Sequence, residues 1–358
     1  MRIFRIPTQR PLRRTTIYPF RTNMKVAELK KTIGGYRTEQ LRRLLVEMYK
    51  AMPKRVKEDH GIDDMICSPA SKRNNRKSEV VPDIEALASE TERFVSNAYN
   101  DYYCIPNSVV PKRERSQWRF TVLRLFKNIN HAATREANVA KAAELLEKLY
   151  VMLCYSCRYT LFSAYDSFQS VGVSQEDFFR AVLRHKRRHE NPRDFVRNSI
   201  ALALKHDLNR YTLYDDLLEA IVAFLDTPDL KEIAIATCDE MWSRASTDNA
   251  SPRSASKSYE DRSIEYQRRE FLQNLARLGF LCHMALCEYE EAVEYFHKHY
   301  VREEPEIALY VLLNMIDRHQ QWDLWAKTYE QAIRSKIRPR SELKTRYLEI
   351  QERARASA

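Results

Sequence analysis

Residues 174–206 read SQEDFFRAVLRHKRRHENPRDFVRNSIALALKH, and this stretch decides the fold. Ser174 supplies an N-cap oxygen, with Asp177 three residues on. Phe178, Phe179, Val182 and Leu183 follow at helical spacing. At Asn191-Pro192 a capping amide precedes a proline at the first helical position, where the missing N–H costs nothing. The stretch therefore spells two helices, 174–190 and 192–206. Thr227-Pro228 repeats the device.

Outward from this pair the same grammar continues. Apolar periodicity predicts helices near 83–101, 114–130, 137–156, 210–226 and 229–244. Upstream, 26–33 and 38–52 read as two helices separated by Gly34-Gly35. In the second, Thr38 is the expected N-cap, and Leu41, Leu44, Leu45, Met48 and Met52 form one apolar stripe. Strand signals are nearly absent. The chain holds 5 glycines in 358 residues, against about 7% in an average protein, and none lies in a phosphate-loop or nucleophile-elbow pattern. The expected fold is all-α: a helical bundle or irregular array with a short helix-hairpin stack at the C-terminus.

Composition shifts divide the chain. Residues 1–23 carry Arg2, Arg5, Arg10, Arg13, Arg14 and Arg21 with no acid, which is six of the eleven net positive charges, leaving +5 for the rest. Three readings stand for this segment: a disordered arm or over-extended start before Met24, an Arg-rich organelle presequence, or a basic arm for nucleic acid. An N-terminal helical hairpin is expected at 24–66 and a linker at 67–81, with its charge run Lys72 to Lys77. A central helical domain follows at 82–242, then a Ser-rich flexible connection at 243–263 and a C-terminal hairpin domain at 264–358. No apolar run is long enough to span a bilayer; Leu149 to Phe162 is interrupted by Arg158. Seven scattered cysteines point to reduced thiols and a cytoplasmic setting.

At an offset of about 34 residues, Leu278 falls on Leu312, Ala292 on Ala326 and Tyr295 on Tyr329. With Leu278-Gly279, Tyr289 and Tyr295-Phe296 this resembles the tetratricopeptide repeat. The second unit departs from it, with Leu313 where glycine is expected. Lys25 to Lys31, Leu41 to Leu45, Glu47 to Lys50, Ala98-Tyr99, Tyr102-Tyr103 and Arg119 to Phe126 resemble a family of bacterial helical proteins of unknown function, over about residues 24–240. That resemblance implies a helical fold and no activity.

The groups that carry chemistry are few. Cys154 and Cys157 form the one CxxC, but both continue the apolar stripe of Val139, Ala142, Ala143, Leu146, Tyr150 and Leu153, so they read as core. His185 and His189 have metal-ligand spacing, yet Lys186, Arg187 and Arg188 between them repel a cation. His297 and His299 are two apart and point in different directions. Asp63-Asp64 and Asp215-Asp216 lack a carboxylate partner at a defined offset. No metal and no cofactor is expected.

The strongest positive feature is the row Arg180, Arg184, Arg187 and Arg188, within roughly 100° of arc on one helix. It reads either as a solvated face paired with acids or as an anion-binding surface. Lys112, Arg113, Arg115 and Arg119 around Trp118 form a second basic cluster. Tyr99, Tyr102, Tyr103, Tyr150, Tyr155, Tyr159 and Tyr165 are either core-edge residues or, interleaved with arginine, base-stacking ones. The leading functional expectation is a non-enzymatic helical protein that binds another protein. The alternative is an accessory protein making phosphate contacts to nucleic acid without sequence preference. A third class is an enzyme with an unfamiliar helical active site. No membrane partner is expected.

Overall fold

A computed structural model describes residues 31–60, 62–67, 81–247, 259–302 and 304–357. The basic arm 1–23, most of the expected helix 26–33, the core of the 67–81 linker and residues 248–258 lie outside them. Among the described residues there are seventeen α-helices and no strand, so the fold is all-α. No helix among them is long and apolar enough to cross a membrane.

Contacts divide the chain into two units, Met1–Val80 and Val81–Ala358. The first contains α1 (Thr38–Ala51), α2 (Lys54–His60) and α3 (Ile62–Cys67). Thr38 is the first helical residue rather than the cap; the Gln40 side chain accepts the Arg37 N–H and closes that end instead. The apolar stripe of α1 is present but unburied, with Leu45, Val46 and Met48 exposed.

The second unit holds the core. It begins with α4 (Ile84–Tyr99), α5 (Lys112–Arg115), α6 (Trp118–Ala132) and, after a 3₁₀ turn at Glu136–Asn138, α7 (Val139–Tyr155). The helix expected at 114–130 is split, because the α5 turn that opens at Pro111 ends at Ser116 and a new helix starts at Trp118. The short α8 (Ser167–Val171) has no counterpart in the sequence reading. The helices α9 (Gln175–His189) and α10 (Pro192–Leu204) carry the expected caps: Ser174 Oγ accepts the Asp177 N–H at 3.0 Å and Asn191 Oδ1 the Asp194 N–H at 3.0 Å. α11 (Tyr214–Phe224) starts four residues late. Asn209 Oδ1 accepts from the Tyr211 and Thr212 amides, a local turn that competes with the helix.

α12 (Pro228–Thr247), α13 (Tyr259–Ala285), α14 (Tyr289–His299), α15 (Pro305–Arg318), α16 (Trp322–Arg334) and α17 (Ser341–Ser357) complete the array. α9 packs on α7 and α11, α10 on α12, α13 on α11, α12 and α14, and α16 on α14, α15 and α17. The composition break at 243–263 is therefore not a break in contacts. Its two flanks are helical to Thr247 and from Tyr259, and α12 and α13 pack side by side within one unit. The pairs matched by the repeat offset fall on corresponding helices of successive hairpins: Leu278 and Leu312 are buried on α13 and α15, Tyr295 and Tyr329 on α14 and α16.

Gly279 shows why one of the few glycines is where it is. A Cβ built there would lie inside the Tyr295 ring, which is buried and flanked by His299 and His283. Gly279→Ala is expected to lower stability by about 2 kcal/mol through overpacking, although alanine is the better helix former. Thermal unfolding checks it: Tyr295→Leu added to Gly279→Ala should recover part of the loss, and a stabilised single variant would show that the ring moves aside freely.

Candidate functional site

The arginine row sits on α9, which docks by Phe178, Phe179, Val182 and Leu183, all fully buried. Three of its four guanidinium groups are held by acids. Arg180 donates to Glu176 at 2.8 Å and Arg187 to Asp226 at 3.1 Å. Arg188 donates to Glu136 and to the Ala133 carbonyl, the latter at 3.1 Å. Arg184 is exposed and makes no ion pair among the described residues. Exposed pairs of this kind add little stability, but they neutralise the field that a phosphate would meet. Lys186, in the same charge run, is buried between Glu147 at 2.8 Å and Glu190 at 2.7 Å.

The neighbouring histidines do not share a ligand position. His185 is buried with Nε2 2.9 Å from Asn130 Oδ1, while His189 Nδ1 turns to the His185 carbonyl at 2.9 Å. Burial, then the charges of Arg188 and Arg184, push the His185 pKa down to about 4. His299 is buried and His297 exposed. His299 Nε2 lies 3.3 Å from Asp239 and Nδ1 3.0 Å from the Tyr295 carbonyl. Cys154 is buried in α7, and burial raises its thiol pKa. Burial, with Asp166 and Asp207 nearby, pushes Cys157 up to about 12. Both are protonated at neutral pH and make poor nucleophiles. Among the described residues no group of three or more His, Cys, Asp and Glu is placed to hold a metal ion.

The two aspartates at the start of α11 are structural in different ways. Asp216 accepts the Leu213 N–H at 2.7 Å. Asp215 receives Arg277 from α13 and Arg318 from α15, the latter at 2.9 Å, and Arg318 also reaches Glu219 at 3.4 Å. Asp216, Glu219 and Arg318 border a cleft of about 540 Å³ between α11, α13 and α15, with Val222, Leu281 and Ala285 on its apolar side. In the first unit Asp63 accepts from the Tyr49 hydroxyl at 2.7 Å.

The tyrosines separate into two kinds. Tyr150 is fully buried, and Tyr103 packs on Phe94 and Phe162. Tyr99, Tyr155 and Tyr159 are 44%, 39% and 48% exposed and touch one another: Tyr155 and Tyr159 stack at 4.4 Å, and Tyr99 meets Tyr155 edge-on at 5.4 Å. The second basic cluster lies at this end of the unit. Arg115 donates to the Ile105 carbonyl at 2.7 Å, Cys104 Sγ to the Thr160 carbonyl at 3.6 Å, and Arg158 lies 3.9 Å from Asp207. These contacts tie the segments 99–119, 155–166 and 205–213 together at one end of the unit. Sequence reasoning names both the cluster and the tyrosines without joining them; only the i, i+4 spacing of Tyr155 and Tyr159 is visible there.

Comparison with protein-family models, curated proteins and solved structures finds no match.

Proposed function

We propose that this protein is a non-enzymatic helical scaffold that binds another polypeptide. The observation that carries the reading is the cleft bordered by residues of α11, α13 and α15. Stacked hairpins leave one continuous surface along such helices, suited to an extended or helical peptide. Here the walls offer charge of both signs, from Glu219 and from Arg318, which is half exposed. Val222 and Leu281 supply the apolar contact that a peptide side chain would bury. Such a lining mixes apolar side chains with charged ones, as protein interfaces do.

Affinity recovery of the full chain from its native host is expected to bring down one stoichiometric polypeptide, and Glu219→Arg is expected to lose it. Glu219 is half exposed and its substitution leaves the α11 cap intact. Recovery of no stoichiometric protein, or recovery that Glu219→Arg leaves unchanged, would sink this reading.

A further inference from the structure

The segments 99–119, 155–166 and 205–213 carry seven Lys and Arg against four Asp and Glu. Two of those acids are already engaged: Asp166 caps α8 by accepting the Gln169 N–H at 2.8 Å, and Asp207 faces Arg158. Lys112, Arg113 and Arg119 make no ion pair among the described residues, in contrast to three of the four arginines of α9. These segments thus carry unpaired cations together with exposed rings, Arg119 standing beside Phe120.

The rings are arranged as platforms. Tyr155 and Tyr159 lie nearly parallel, at 20°, with Arg158 5.8 Å from the Tyr159 centroid. Arg210 covers Tyr165 at 3.8 Å, and Arg119 lies 4.8 Å from the ring of exposed Phe120. The support beneath is rigid. Phe162 stacks on Trp118 at 4.0 Å, and buried Gln175 ties the 205–213 loop by donating to the Asp207 carbonyl and accepting the Asn209 N–H. Preorganised rings and cations bind with little ordering cost.

We propose that the surface of these three segments binds single-stranded nucleic acid, with bases stacking on Tyr155 and Tyr159 and phosphates held by Arg113 and Arg119. Every base has a π-face, so ring platforms beside cations recognise unpaired strands with little sequence preference. A duplex hides those faces within its own stack. Tyrosine and arginine also anchor protein interfaces, but a peptide rarely combines flat partners for two parallel rings with the regularly spaced anions that every nucleotide of a strand supplies. The inference goes beyond the scaffold reading and uses a different surface, so either can fail alone.

The test is fluorescence anisotropy of the full chain with a labelled oligothymidylate of about 20 nucleotides, titrated upward from about 50 mM salt. Binding is expected to weaken linearly in log salt, by about 0.7 per strand phosphate neutralised. Tyr155→Ala with Tyr159→Ala should weaken binding about tenfold or more at equal salt, with helicity by circular dichroism unchanged. Tyr155→Phe with Tyr159→Phe keeps the rings and should keep the affinity. Arg113→Gln with Arg119→Gln should lower the salt slope by about 1.4. Three results overturn the proposal. One is no binding at the lowest salt. Another is binding that ring removal leaves unchanged, which would assign it to the arginines of residues 1–23 or of α9. The third is a polypeptide whose binding requires the rings while the oligonucleotide does not bind.

Discussion

Replacing Lys186 by methionine is expected to lower the stability of the array by about 3 to 5 kcal/mol. Its side chain is 7% exposed, and its ammonium is the shared cation of Glu147 on α7 and Glu190 at the end of α9. Methionine has similar length and fills the same volume, so packing changes little. What changes is that Glu190, itself nearly buried, keeps its charge and loses its counterion. Asn198 stays within 3.3 Å of that carboxylate but carries no charge to replace it. Urea unfolding at neutral pH followed by circular dichroism measures the loss. Adding Glu190→Gln should recover a large part of it, because the uncompensated anion is then gone. Arg188→Met removes an exposed pair on the same helix and should cost under about 1 kcal/mol. A Lys186→Met loss as small as that of Arg188→Met would mean that water reaches the cluster.

Acid is expected to weaken the protein between about pH 6.5 and pH 4, with His185 the largest contributor at on the order of 3 kcal/mol. Desolvation also lowers the pKa values of His206, His297, His299 and His319, which add smaller losses of the same sign. Asn130 Oδ1 accepts a hydrogen bond and cannot donate one, so the His185 Nε2 facing it carries the proton. Nδ1 is buried with no hydrogen-bond partner among the described residues. A second proton would have nowhere to donate, and Arg188, Arg184 and His189 on the same helix oppose the charge. The folded pKa is about 4, below the ordinary 6.5 of the unfolded chain. Unfolded molecules therefore take up the proton first, and stability present above pH 6.5 is lost as pH falls toward 4. Glu90, Glu144 and Glu306 act lower. Their hydrogen bonds to Arg124, Lys148 and Arg340 hold them below the usual carboxylate range, so their loss follows beneath about pH 4.5. Stability profiles of the protein and of His185→Gln, which keeps a donor toward Asn130, check the assignment. The variant should lose the larger part of the slope across the upper window and keep the remainder from the other histidines, and an unchanged profile would refute it.

What can be read from the sequence is local. Ser174 and Asn191 are legible because a cap and its amide lie three residues apart, and the buried face of α9 because helical period alone puts Phe178, Phe179, Val182 and Leu183 together. The all-α class follows from many such signals agreeing. The late start of α11 is not legible, because Asn209 offers its turn in competition with a helix that composition favours equally. Lys186 looks like one more member of a solvated basic run. Its burial depends on α7, whose Glu147 lies far back along the chain on another helix. The partners of Arg187 and Arg188 are equally distant, so a row that reads as free cations folds into a set of ion pairs. The domain boundary at 243–263 rests on serines, and composition carries no information on whether the helices at its two sides touch. Tyr99 and Tyr155 meet the same limit: they end two different helices, α4 and α7, and form one ladder only once those helices pack.

The Asp215 carboxylate holds an arginine from α13 and another from α15 across the cleft. Its consequence is mechanical. Asp215 ties three helices together, so moving α13 or α15 away from α11 must stretch an ion pair. Arg277 is mostly shielded from water and Arg318 is half exposed, so ionic strength slackens the outer tie before the inner one. The separation of α15 from α11 is therefore expected to respond to salt before that of α13, with every helix intact.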